Sequence, residues 1–186
     1  YQVIRISDIT EGGINYDELV KVSSDVKNVE DYRVEKGDLL LSIRGTTNKI
    51  GMVDKDDDSL LFNANLIRIR AKRDTDPEWL KIYLKSPMAR VLLERISRGT
   101  TIRQISLQDL KNFPIPKLTL EEQMIAKQEY QIGLEEVQAE LEKLRQKEYN
   151  IKRAFYQKLP VSDAFEIIPE KSKLVAVSYT HLRAHE

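Results

Sequence analysis

Apolar and polar positions change rhythm along this chain, and the changes divide it. Over the first part the apolar residues come in short runs or strict alternation, the period-two pattern of strands. "QVIRISDI" predicts a strand that ends at a Gly12-Gly13 turn. "GDLLLSIRG" is a compact apolar run between glycines and predicts a buried strand, with "KIGMVDK" following. "NLIRIRAK" alternates, so Ile67, Ile69 and Ala71 would face a core while Arg68, Arg70 and Lys72 line the other side.

The period lengthens at "TDPEWLKIYLKSPMARVLLERISRG". Asp76 before Pro77 and Ser86 before Pro87 are repeated helix-start signals, which predicts two short helices with Gly99 as the stop of the second. "TTIRQIS" reads as extended, Ser106 caps a turn at "LQDL", and Pro114 and Pro116 keep "FPIPKL" off any sheet interior. Thr119 and Glu122 then form a capping box, and no proline follows until Pro160. Leu134, Val137, Leu141, Leu144, Ile151 and Phe155 fall on alternating three- and four-residue steps, a coiled-coil seam interrupted by Glu148. Roughly 40 helical residues would make a rod near 60 Å long, and so narrow an apolar stripe on so polar a helix requires a partner helix. The expected class is α+β: a mixed α/β head over residues 1–117, a long coiled-coil-forming helix over 118–159, and a tail over 160–186. The end of that tail, "VSYTHLRAHE", continues no upstream pattern and reads as translated adapter sequence.

Composition removes chemistry. The 186 residues contain no cysteine, and both histidines, His181 and His185, fall in the tail. Ser-His and Cys-His nucleophiles and a zinc site are therefore not expected in the body. No apolar run reaches the roughly 18–20 residues of a membrane span, and no signal peptide opens the chain, so a soluble cytoplasmic protein is expected. Asp25-Val26-Lys27, with Asp8 or Asp17 upstream, resembles part of a metal-dependent nuclease signature, a triplet that chance supplies in a chain with 32% charged residues. "RGTTNKIG" lacks the Lys-Ser/Thr pair and helix of a phosphate-binding P-loop, and "FNANLI" lacks the prolines of an amino-methyltransferase motif. No catalytic set emerges, and no resident cofactor is expected.

The net charge is zero but unevenly laid out: −5 over residues 1–60, +6 over 61–116 and −1 beyond. A basic middle segment is a candidate footprint for phosphates. Three donor-rich loops stand out: Arg44, Thr46, Thr47, Asn48 and Lys49; Asn63 and Asn65 with Arg68 and Arg70; and Arg98, Thr100, Thr101, Arg103 and Gln104. Two of these loops share "RGTT". Arginine pairs with guanine edges, Asn and Gln with adenine, and Lys and Thr with phosphates, so these are the candidate DNA-binding residues. Lys49, Arg68 and Arg70 read as phosphate positioners, the others as candidates for base or phosphate contact.

In order, "VIRISDITEGGI", "YRVEKGDLLLSIRGTTNKIGMV", "NANLIRIR", "SRGTTIRQISLQDLKNFPIPKLTLEEQMI" and the arm ending "NIKRAFYQKL" resemble one half of a type I restriction-modification specificity subunit. The resemblance covers residues 1–159. It implies a target recognition domain that reads half of a bipartite sequence in double-stranded DNA. It also implies a spacer helix that pairs antiparallel with a second spacer helix, from another half or protomer, and docks methyltransferase subunits. Catalysis, with S-adenosylmethionine, ATP and Mg²⁺, would reside on partner chains in a prokaryotic cytoplasm. Such domains usually begin with further strands and occur in pairs, so the chain is expected to be a fragment. The alternatives are the recognition domain of a fused N6-adenine methyltransferase and a coiled-coil interaction module without DNA binding.

Overall fold

A computed structural model describes residues 1–23, 28–45, 48–99 and 103–158. The chain divides after Glu135 into two compact units. The first contains three small sheets. Strand β1 (Gln2–Ile4) lies between β4 (Val20–Lys21), antiparallel to it, and β7 (Leu60–Phe62), parallel to it. A hairpin of β2 (Ile9–Thr10) and β3 (Gly13–Ile14) follows β1. The third sheet is antiparallel, with β5 (Leu39–Ser42) between β6 (Ile50–Met52) and β8 (Leu66–Ile69). A single helical turn, α1 (Val29–Tyr32), precedes β5.

The run "GDLLLS" behaves as a strand must when both of its faces are covered. Leu39 and Leu41 enter one core, with Trp79, Leu80, Leu84, Leu93 and Ile105, while Leu40 enters the other, with Ile4, Ile9, Leu60 and Leu66. All three leucines are fully buried, and truncating one to alanine would cost roughly 2–5 kcal/mol. Gly51 of β6 lies against the hairpin so closely that a Cβ there would stand 2.8 Å from Ile14 Cγ1, which is why that strand position carries no side chain. Ile67, Ile69 and Ala71 pack on the second core, the face expected for them.

Helices α2 (Pro77–Lys85) and α3 (Pro87–Ile96) begin where the Asp-Pro and Ser-Pro signals place them, with Asp76 accepting from Trp79 N–H at 2.8 Å and Ser86 from Ala89 N–H at 3.2 Å. Ser106 caps α4 (Leu107–Lys111), and the Thr119–Glu122 box opens α5 (Leu120–Tyr156).

Two boundaries depart from the sequence reading. "QVIRISDI" is not one strand: the Asp8 carboxylate accepts from the Arg5 backbone N–H at 2.8 Å and from its guanidinium, turning residues 6–8 into a short 3-10 helix. Gly99 is not the stop of α3. That helix ends at Ile96, Ser97 is already extended, and Arg98 then pairs with Gln104, so backbone pairing rather than a glycine cap ends it. Gly99 follows Arg98 with φ 109°, a backbone conformation that favours glycine.

Candidate nucleic-acid interface

The described parts of the two loops that share "RGTT" are far apart in sequence and adjacent in space. Residues 43–45 leave β5, and residues 103–105 lie alongside them. Ile105 N–H donates to Ile43 C=O at 2.9 Å, and Gly45 N–H donates to Arg103 C=O at 3.1 Å. On its other side the same segment meets the end of α3: Arg98 and Gln104 exchange both backbone hydrogen bonds, at 2.9 and 2.8 Å. Gln104 thus bridges Arg44 and Arg98, a strand-like brace outside any sheet. The Asn63–Asn65 turn closes the group, since Ile43 N–H donates to Asn65 C=O at 2.9 Å. The register Ser42↔Leu66 puts all of this at one end of the β6-β5-β8 sheet.

This arrangement sorts the candidate residues. Arg44, Asn65, Arg98, Arg103 and Gln104 come together, and all five are exposed. Arg98 meets Asp109 at 3.2 Å, but its side chain remains 80% exposed; so open an ion pair contributes little and yields readily to a stronger anion. Asn48 stands at the same end in a left-handed backbone conformation, φ 75°. Its buried Oδ1 has no partner among the described residues. Thr46, Thr47, Thr100 and Thr101 lie outside the described residues, as do Asp25, Lys27 and the tail.

Four other candidates are engaged within the protein. Lys49 turns its ammonium inward, donating to Ile6 C=O at 3.3 Å and Ile9 C=O at 3.0 Å, which ties β6 to the hairpin. Asn63 accepts from Asn65 N–H at 3.1 Å and so shapes its own turn. Arg68 donates to the Arg33 carbonyl and lies over the Phe62 ring. Arg70, beyond the Leu39↔Ile69 pair at the opposite end of the sheet, grips the buried Asp38 with two bonds of 2.7 and 2.8 Å and reaches Glu35 at 2.9 Å. Asp38 holds the Arg70 guanidinium charged beyond its already strong preference.

Gln123 is a structural residue that the sequence reading missed. Only 2% exposed, it accepts from Asp76 N–H at 2.7 Å and donates to Asp74 C=O and Leu118 C=O, each at 2.9 Å. One turn later Lys127 meets Asp76 at 3.0 Å and Glu78 at 3.1 Å. A glutamine in the first turn of a polar helix reads as solvated, and nothing in its spacing marks it as a buried clasp.

Further along α5, Leu134, Val137, Leu141, Leu144, Ile151 and Phe155 are between 45% and 62% exposed. Among the described residues nothing covers the seam. No helix among the described residues is long and apolar enough to cross a membrane. Among the described residues no group of three acidic or histidine side chains is arranged to hold a metal.

The fold is similar to the crystal structure of the HsdS subunit from Thermoanaerobacter tengcongensis, with a TM-score of 0.66 at 22% identity, covering 91% of this chain and 45% of that one. It is also similar to a chain from a structure describing complex assembly and conformational transition of the type I R-M system (TM-score 0.64, 22% identity, 91% and 45% covered). In sequence, the chain is 30% identical over 128 residues to the type I restriction enzyme EcoBI specificity subunit of Escherichia coli, covering 66% of this chain and 26% of that protein. It is 25% identical over 118 residues to the EcoKI specificity subunit of Escherichia coli strain K12, covering 60% and 25%. The chain thus spans about a quarter of the length of these curated relatives and under half of the solved ones. The sequence model of the type I restriction modification DNA specificity domain matches residues 1–152, and the chain belongs to that family.

Proposed function

We propose that this chain recognises DNA as part of a type I specificity subunit, and that the braced end of the β6-β5-β8 sheet is the surface that does so. The carrying observation is that Gln104 holds the two "RGTT" loops side by side, gathering three exposed arginines on one edge. Three guanidinium groups on a backbone fixed by five hydrogen bonds form a preorganised donor array, suited to phosphate oxygens and guanine edges alike. Asn65 and Gln104, both exposed, add amide groups of the kind that pair with adenine. The threonines of both loops belong to the same proposal by sequence adjacency. Arg68, Arg70 and Lys49 contribute by shaping the head rather than by touching DNA. The chain itself performs no catalysis; methylation and cleavage, with S-adenosylmethionine, ATP and Mg²⁺, belong to methyltransferase and restriction subunits that dock on it in a bacterial cytoplasm. Helix α5 is the spacer.

The test is fluorescence anisotropy of the whole chain on a selected duplex, repeated across a salt series. Log K should fall linearly with log salt. Replacing a phosphate-contacting arginine by alanine should lower the magnitude of the slope by about 1. Replacing a base-reading one should cost roughly 1–3 kcal/mol and relax one target position. Arg103→Ala and Arg44→Ala should each do one or the other. Duplex affinity that ignores salt, or both variants binding as the parent does, overturns the assignment.

A further inference from the structure

Next to the braced sheet end lies a cleft of about 530 Å³ that the DNA-reading surface does not use. Its walls are the β2–β3 hairpin, the start of β6, the end of α2, the first turn of α3, and α5 at Tyr130, all within the first compact unit. That volume falls in the range of small-molecule sites, roughly 300–1,000 Å³. We propose that the cleft binds a free nucleoside monophosphate whose base carries an exocyclic amine, with the phosphate held by Lys85 and Arg90 and the base on Tyr130. The proposal is independent of what the sheet end recognises.

Charge selects an anion. Lys85 is exposed and makes no ion pair among the described residues. Arg90 meets Glu94 at 3.7 Å, a long contact within its own helix, and its side chain is 69% exposed; such a pair yields readily to a phosphate. The Lys49 ammonium spends two of its three N–H groups on the Ile6 and Ile9 carbonyls, which leaves one donor in the cleft lining. Against these three cations the lining holds one acid, Glu11.

The rest of the lining suits a base rather than a bare anion. Ile9, Ile50 and Leu84, between 2% and 4% exposed, give an apolar floor, and Tyr130, 48% exposed, offers a ring. A flat aromatic base is the group that uses both, through burial of one face and stacking of the other. Asn48 adds selectivity. Its Oδ1 has no partner among the described residues, so turning the amide into the cleft breaks no existing bond, and an amine there satisfies an acceptor that folding leaves orphaned. Adenine presents such an amine and uracil does not. Grooves that bind strands repeat their rings along the backbone; a lining with one ring accommodates one nucleotide.

Equilibrium dialysis of the whole chain against AMP, UMP, adenosine and inorganic phosphate is the test. AMP should bind saturably, and the other three should each bind roughly tenfold more weakly, because each lacks one of the recognised parts. Lys85→Gln with Arg90→Gln should weaken AMP about tenfold and leave adenosine unchanged. Tyr130→Leu should weaken AMP and adenosine alike and leave phosphate unchanged. These three positions are exposed, so folding is not at risk. Asn48→Gly, which suits the φ of 75°, should erase the preference for AMP over UMP. No saturable AMP binding at millimolar concentration, phosphate binding as tightly as AMP, or AMP binding that survives either the charge or the ring variant would each overturn the proposal. So would a single-stranded oligonucleotide that occupies the cleft more tightly than AMP. Arg103→Ala should bind AMP as the parent does, whatever it does to duplex affinity, so failure at the cleft leaves the DNA reading standing.

Discussion

Arg70 and Arg103 carry the same guanidinium, and their surroundings give it opposite uses. Arg70 saturates a carboxylate that is 1% exposed, and the same carboxylate accepts from Glu35 N–H at 2.8 Å, so the pair closes the turn that leads into β5. Arg103 is exposed on the sheet edge, and among the described residues only its backbone carbonyl is committed, to Gly45 N–H. Arg70→Met would keep the stem and leave Asp38 buried with a single donor. It should lower stability by roughly 2–3 kcal/mol, whereas Arg103→Ala should change it by under about 0.5 kcal/mol. Urea unfolding followed by circular dichroism separates the two. If Arg70→Met unfolds at the parent's midpoint, the Asp38 pair is not structural and Arg70 returns to the list of candidate DNA contacts. The alternation in "NLIRIRAK" identifies which side of the strand these arginines take but not what they meet, because Asp38 arrives from the turn before β5, 32 residues away. Such a partner is set by sheet register, which local sequence does not encode.

The junction of α2 with α5 is where elements, rather than single residues, hold one another. Asp76 caps α2, and the same carboxylate takes the Lys127 ammonium from α5. Partial burial pushes Asp76 upward, but the Trp79 N–H and Lys127 together outweigh it and hold the group below its ordinary value of 3.8. A depressed carboxylate stabilises the fold in full above the ordinary value, and that contribution is lost as pH falls through the folded one. Asp76→Asn, still a helix cap, should therefore cost about 1 kcal/mol at neutral pH. The cost should vanish in acid below the ordinary carboxylate range. Thermal melts of the two proteins at neutral and acid pH check this, and a constant gap at both would show that Asp76 acts by packing alone. Both partners were legible separately, Asp76 as a cap before Pro77 and the start of α5 at Thr119–Glu122. Their meeting was not, because it depends on Gln123, whose only mark in the sequence is polarity. The elements that could be read had local causes, such as a cap, a proline or an unbroken apolar run. The 3-10 turn at Asp8 and the end of α3 had non-local or side-chain causes and were missed.

The proposed function gives the molecule two surfaces with different partners, and hydrogen exchange can address them in one experiment. The slowest amides should be those of β5, whose three leucines are fully buried and whose strand is paired on both sides; they open only with the whole head. From Glu136 to Tyr156 every residue is exposed in the single chain. A helix of that length without tertiary packing is marginal in water, so these amides should exchange quickly in dilute solution. With the second spacer helix supplied by another protomer, raising the chain concentration should slow them, because a paired seam must separate before the helix frays, and should leave residues 43–45 and 103–105 unchanged. Adding a selected duplex at constant chain concentration should do the reverse, protecting those loop segments and the 63–65 turn first. The two patterns fail independently. Protection of α5 that ignores concentration removes another protomer as the source of that helix and leaves the DNA reader standing. Duplex that slows nothing at the braced sheet end removes the DNA surface, whatever the helix does.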